Sequence, residues 1–164
     1  GNVDAVLAPN DNNAASIIAI LDKNGLTVPV SGQDASIAGL QNVLLGKQYG
    51  TVYKPFTIQA EAGAAMAITI LSGGVPETNK TLADGTPFLA LDPISVSAEQ
   101  VKDVVANGDA SVEELCTADV AAACEQYGIN EQQLAATECA EVPIFGAPPQ
   151  KIFVTFIASS SSQG

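Results

Sequence analysis

The chain has 164 residues, 47% of them hydrophobic, with six Lys, no Arg, no His and 18 Asp or Glu, for a formal net charge of −12. That length and apolar content suit one ordinary domain with a core of its own, while the acidic balance repels phosphate and argues against nucleic acid or anionic membranes as partners. Without His the commonest general base and metal ligand is missing, and without Arg so is the bidentate anion clamp; the chain is not expected to be an enzyme or to need a cofactor.

In chain order, residues 4–8 read as a strand, and the chain opens on it almost directly, as a piece of a longer protein would. No signal peptide is visible, and no apolar run reaches the roughly 18 residues of a membrane span. Asn12 or Asn13 can cap a helix through residues 14–21 that closes near Asn24 and Gly25. Residues 26–31 form a second strand. Residues 36–45 carry apolar side chains at 37, 40, 44 and 45 and stop at Gly46, which predicts a helix. Residues 49–53 are a third strand. A long helix over 58–71 follows, rich in Ala and Gly, and its small residues are expected to pack closely on the sheet. Strands alternating with helices of this length imply βαβ units and a parallel sheet with right-handed crossovers.

Residues 75–86 form a polar excursion, a hairpin or surface loop, containing an Asn79-Lys80-Thr81 sequon to which we attach no role. Residues 88–91 are a short strand, and 92–96 continue extended. Ser97-Ala-Glu-Gln100 is a capping-box pattern opening a helix that stops at Asn107-Gly108. Short helices are expected over 111–115, 118–127 and 131–137. Residues 140–149 read as a proline-rich linker, 151–157 as an isolated strand and 159–164 as a low-complexity tail. This gives three regions: an α/β lobe over 1–110, a helical cysteine-containing extension over 111–139, and a linker with a strand-like tail over 140–164.

Of the three cysteines, Cys116 and Cys124 lie eight apart, a spacing open to a disulfide in an exported protein, with Cys139 free or as the alternative partner. Buried reduced thiols are the other reading. Zinc is a poor one, because there is no CxxC pair and no His.

Three polar stretches stand where a strand should end: Ala8-Pro-Asn10-Asp11, Ser31-Gly-Gln-Asp34 and Thr51-Val-Tyr-Lys54-Pro55. In open α/β sheets ligands bind at that carboxyl edge. Asn10 or Asp34 could equally cap the helix that follows, and Lys54 could be a solvated lysine. Asp11, Gln33 and Tyr53 are neighbours that could support a ligand or merely the turn.

The wording and spacing of these stretches, with Val30-Ser-Gly-Gln-Asp-Ala35 and Thr51-Val-Tyr-Lys-Pro55 the most specific, resemble the C-terminal lobe of periplasmic sugar-binding proteins of ABC transporters, the xylose-binding type most closely. The similarity is strongest over about residues 4–72. It continues more weakly through Leu91-Asp-Pro-Ile-Ser-Val-Ser97 and Glu114-Leu-Cys-Thr117, which look like the hinge crossover and C-terminal extension of that family. The resemblance implies a Rossmann-like parallel sheet with helices on both faces, one lobe of a type 1 periplasmic binding protein, with a mainly helical C-terminal extension. It implies capture of a monosaccharide, xylose or a related pentose, between this lobe and a missing N-terminal lobe of the same fold. Delivery would be to an ABC permease, and the location periplasmic or extracellular, with a lipid anchor in the parent protein also compatible. Asn10, Asp34 and Lys54 would be this lobe's sugar ligands. Trp, the ring such sites commonly stack on a sugar, is absent, so the chain resembles half of a site. Three rival readings stay open: the effector lobe of a sugar-responsive repressor, an extracellular sensing lobe of a receptor, and a small enzyme using Asp34 and Lys54 as a pair.

Overall fold

The computed structural model describes residues 3–130. The readings of residues 131–164, Cys139 and the 151–157 strand among them, lie outside the described residues.

Helix α1 (Asp11–Lys23) begins where the Asn10 side chain accepts the amide of Asn13, and its first and last turns carry Asp11 and Lys23, each matched to the helix dipole. Gly25, at φ 64°, turns the chain out of it. Helix α2 (Ile37–Leu44) is capped by Ser36 and followed by Gly46 in the left-handed region. Strand β1 (Thr51–Tyr53) leads into helix α3 (Phe56–Leu71). A small hairpin of β2 (Lys80–Thr81) and β3 (Pro87–Phe88) follows, then β4 (Ile94–Val96). The sequon asparagine ties off that hairpin: Asn79 exchanges two hydrogen bonds with the backbone of Ala90. Ser97 and Gln100 form the expected capping box around a 3-10 turn, which runs into α4 (Val101–Ala106). Helices α5 (Val112–Leu115) and α6 (Ala121–Gln126) complete the described chain, and a Cys116–Cys124 disulfide with Cα atoms 5.9 Å apart joins the region between them to α6.

Where a parallel sheet was expected, the extended segments are joined by single parallel bridges and the named strands pair antiparallel. Val6 pairs in parallel with Val30, and Ser31 with Gly50. On the far side of β1, strand β4 pairs antiparallel, with Val52 opposite Ser95. Strand alternation sorts the side chains onto two faces. Ala8, Val30, Thr51, Tyr53 and Val96 are buried on one, beneath α1 on one side and α2 and α4 on the other. On the other face, Leu7, Ser31, Val52 and Ser95 line shallow hollows of about 360 and 330 Å³. Among the described residues the sheet is therefore covered on one face, where cover on both was expected.

One further expectation is corrected. Helix α3 does not pack closely on the sheet: none of its residues is buried, and Phe56, Ile68 and Leu71 are 69%, 64% and 87% exposed. Its apolar residues run all round the helix, and the covered sheet face is already occupied. Past residue 110 the chain adds to the same core. Leu115, Val120, Cys124 and Ile129 join Leu40, Val43, Tyr53 and Val96 in one cluster, and Gln41 Nε2 donates across to the carbonyl of Leu115.

Candidate functional site

The three polar stretches leave the carboxyl ends of three adjacent extended segments, so the fold brings their loops to one edge. Asp34 and Lys54 meet there directly: Lys54 Nζ lies 2.7 Å from Asp34 Oδ1, with the side chains 41% and 49% exposed. An ion pair so open to water contributes about 0–1 kcal/mol. It is therefore readily exchanged for hydrogen bonds to an incoming polar ligand. Asn10 sits on the same edge, its loop tied to the next one by Asp11 N donating to the Gln33 carbonyl at 2.9 Å. Its Oδ1 serves as the α1 cap, while its Nδ2 has no hydrogen-bond partner among the described residues.

Asp34 does not cap α2; Ser36 does. Asp34 instead occupies φ 101° and Ala35 φ 50°, a left-handed pair of non-glycine residues that costs backbone energy and persists only where its surroundings hold it. Three hydrogen bonds hold it. Asp34 N donates to Val52 O at 2.8 Å, Ala35 N to Thr51 Oγ1 at 3.2 Å, and Ser36 N to Asp11 Oδ2 at 2.8 Å. Asp11 itself is 1% exposed. Its Oδ1 accepts from Thr51 Oγ1 at 2.8 Å and from Gln48 Nε2 at 2.9 Å, and its Oδ2 also accepts from the Ser36 hydroxyl at 3.2 Å. A buried carboxylate needs such saturation.

Gln33 contributes its carbonyl to the edge, and its side chain has no hydrogen bond among the described residues. Tyr53 is a correction. It ends β1 on the same face as the buried Thr51; its ring is buried in the main core, and its hydroxyl donates to the Asp109 carboxylate. Burial first, and the Asp109 bond second, push its phenol up to about 12. Tyr53 supports the core and not the edge. Thr51, Gln48, Ser36, Gly32 and Gly39 were not singled out from sequence. The available signal was Gly39, inside an otherwise good helix, where a glycine costs about 1 kcal/mol and so points to a packing or functional need.

Neither hollow on the open sheet face includes Asn10, Asp34 or Lys54. The candidate ligands form a polar rim, not a closed pocket. No cluster of His, Cys, Asp or Glu suited to a metal occurs among the described residues, and none of the described helices is long and apolar enough to cross a membrane.

No family model matches the chain. It is 40% identical over 108 residues to the D-xylose-binding periplasmic protein of Escherichia coli (strain K12), a match covering 63% of this chain and 33% of that protein. It is 38% identical over 109 residues to the D-xylose-binding periplasmic protein of Haemophilus influenzae, with the same coverage. In three dimensions it is similar to a carbohydrate transporter solute binding protein from Chloroflexus aurantiacus, solved with D-glucose, with a TM-score of 0.62 and 27% identity. That likeness covers 67% of this chain and 34% of the other. The resemblance to periplasmic sugar-binding proteins of the xylose type thus holds over nearly two thirds of the chain, which spans about a third of the length of the curated relatives it matches. Those relatives are binding proteins, not enzymes, which leaves the reading of Asp34 and Lys54 as a catalytic pair without support.

Proposed function

We propose that this chain carries half of a monosaccharide-binding site, with Asn10, Asp34 and Lys54 as its sugar ligands, in a periplasmic solute-binding protein that serves an ABC permease. The observation that carries the reading is the half-exposed Asp34–Lys54 pair on a strained turn, at the sheet edge where α/β folds bind ligands. The xylose-binding relatives favour a pentose as the sugar, xylose first.

The chemistry follows from the groups. A carboxylate accepts two hydroxyl protons, an ammonium donates to ring or hydroxyl oxygens, and the Asn10 Nδ2 donates while Oδ1 stays with the helix cap. In the absence of sugar Asp34 and Lys54 satisfy each other; with sugar, each trades part of that pair for a charge-assisted bond to a hydroxyl. Tyr53, committed to the core, offers the rim no ring. The surface that excludes water would come from a second lobe of the same fold.

Half a site should bind weakly, in the millimolar range that corresponds to about −4 kcal/mol. The test is the D-xylose affinity of the chain beside its Asp34→Ala and Lys54→Met variants. The reading expects each substitution to weaken binding by about tenfold or more, the loss of one charged hydrogen bond. Unchanged affinity in both variants would remove these residues from the site.

A further inference from the structure

We propose that Asp11 is the positioning residue of the sugar-facing turn: its buried carboxylate holds Asp34 and Ala35 in the left-handed backbone that carries the Asp34 side chain to the rim. This rests on the reading of Asp34 as a sugar ligand and adds to it the group that sets its position.

Each of the three amides of the turn is already committed. That of Ser36 goes to Asp11 Oδ2, and that of Ala35 to the Thr51 hydroxyl, whose proton goes to Asp11 Oδ1. That of Asp34 goes to the carbonyl of Val52, next to Thr51 in β1. Two of the three therefore depend on one carboxylate, directly or through Thr51. Asp11 has no freedom to serve elsewhere, because both oxygens are saturated by groups from Ser36 ahead of α2, Gln48 beyond it and Thr51 in β1. The Gln48 amide is fixed in the same arrangement, since Nε2 bonds two acceptors, Asp11 Oδ1 and Gly50 O.

Two glycines make room for this carboxylate. A Cβ at Gly32 would overlap Asp11 Oδ1 and Gln48 Nε2, and a Cβ at Gly39 would overlap the Asp11 carboxyl group. Neither glycine is at positive φ, so space, not backbone freedom, is what each provides. A chain that needed only a polar spacer at position 11 would have no reason to clear both sides of it.

The test compares the 15N-labelled full chain with its Asp11→Asn and Thr51→Val variants, by amide hydrogen exchange at residues 34–36 and by D-xylose titration. Asn keeps the shape but presents two hydrogens where it faces donors. Val keeps the packing and removes the hydroxyl link to Ala35. The expected result is amide exchange at Ala35 and Ser36 faster by about tenfold or more, with α1 and α2 amides little changed and xylose affinity reduced in parallel. If Asp11→Asn does not fold, Thr51→Val decides alone, through Ala35. Undisturbed exchange at 35 and 36 in a folded variant would overturn the proposal. So would a loosened turn with undiminished affinity in a chain that binds xylose. Should the parent chain fail to bind xylose, the sugar reading falls, and the exchange data still decide whether Asp11 holds the turn.

Discussion

At the scale of single residues, the assignments follow from where each polar group finds its partner. Tyr53 shows the consequence most simply. Its phenol sits at about 12 in the fold against an ordinary 10.0, chiefly because burial disfavours the phenolate. A group raised in this way contributes stability that is intact below pH 10 and is lost as pH climbs through 12. The denaturation midpoint of the native chain should therefore fall between those values more steeply than that of Tyr53→Phe, which has no proton to lose. Parallel pH dependence of the two proteins would refute the buried-phenol assignment. The side taken by Tyr53 was open to reading from strand alternation, which sets it with Thr51 and opposite Val52. Asn10 shows the limit of that kind of reasoning, because a single amide both caps a helix and keeps a donor at the edge. The Asp11 hub was out of reach of the sequence. Its partners lie 25, 37 and 40 residues away, and no local pattern reports a hydrogen bond across that distance.

At the scale of elements, caps and stops were the legible part. Gly25, Gly46, the Ser97 box and Ser111 all act within one turn of their helices, so their chemistry is written locally. Packing partners are not written locally, and α3 is the case in point. Its run of Ala and Gly has the composition of a closely packed helix whether or not a partner layer is present. In this chain it has none that buries it, whereas α2 places Leu40, Val43 and Leu44 in the main core. Leu40→Ala should cost about 2–5 kcal/mol, while Ile68→Ala should stay within about 0.5 kcal/mol, as surface changes do. Urea denaturation of the two variants checks this directly. A large loss at Ile68 would mean that α3 is covered in solution.

At the scale of the molecule, the open sheet face, the apolar surface of α3 and the one-sided rim have a common sense. Each is open on one side: a sheet clothed on one face, a helix without its layer, a polar edge without an opposing wall. The likeness to periplasmic sugar-binding proteins, of whose length the match covers about a third, fits that pattern. That likeness was legible in the wording of three loops because it rests on particular residues at particular strand ends. The extent of the sheet was not, because single bridges and full ladders arise from the same apolar runs.

The central claim is that Asn10, Asp34 and Lys54 form a sugar-facing rim. An amide NMR titration of the full chain with pentoses and hexoses, carried to tens of millimolar, addresses it most directly. The expected result is saturable shifts in the millimolar range, clustered at the loops around residues 10, 34 and 54 and larger for xylose than for hexoses. Shifts that cluster instead on the open sheet face around Ser31, Val52 and Ser95, or that are the same for every sugar, would contradict it.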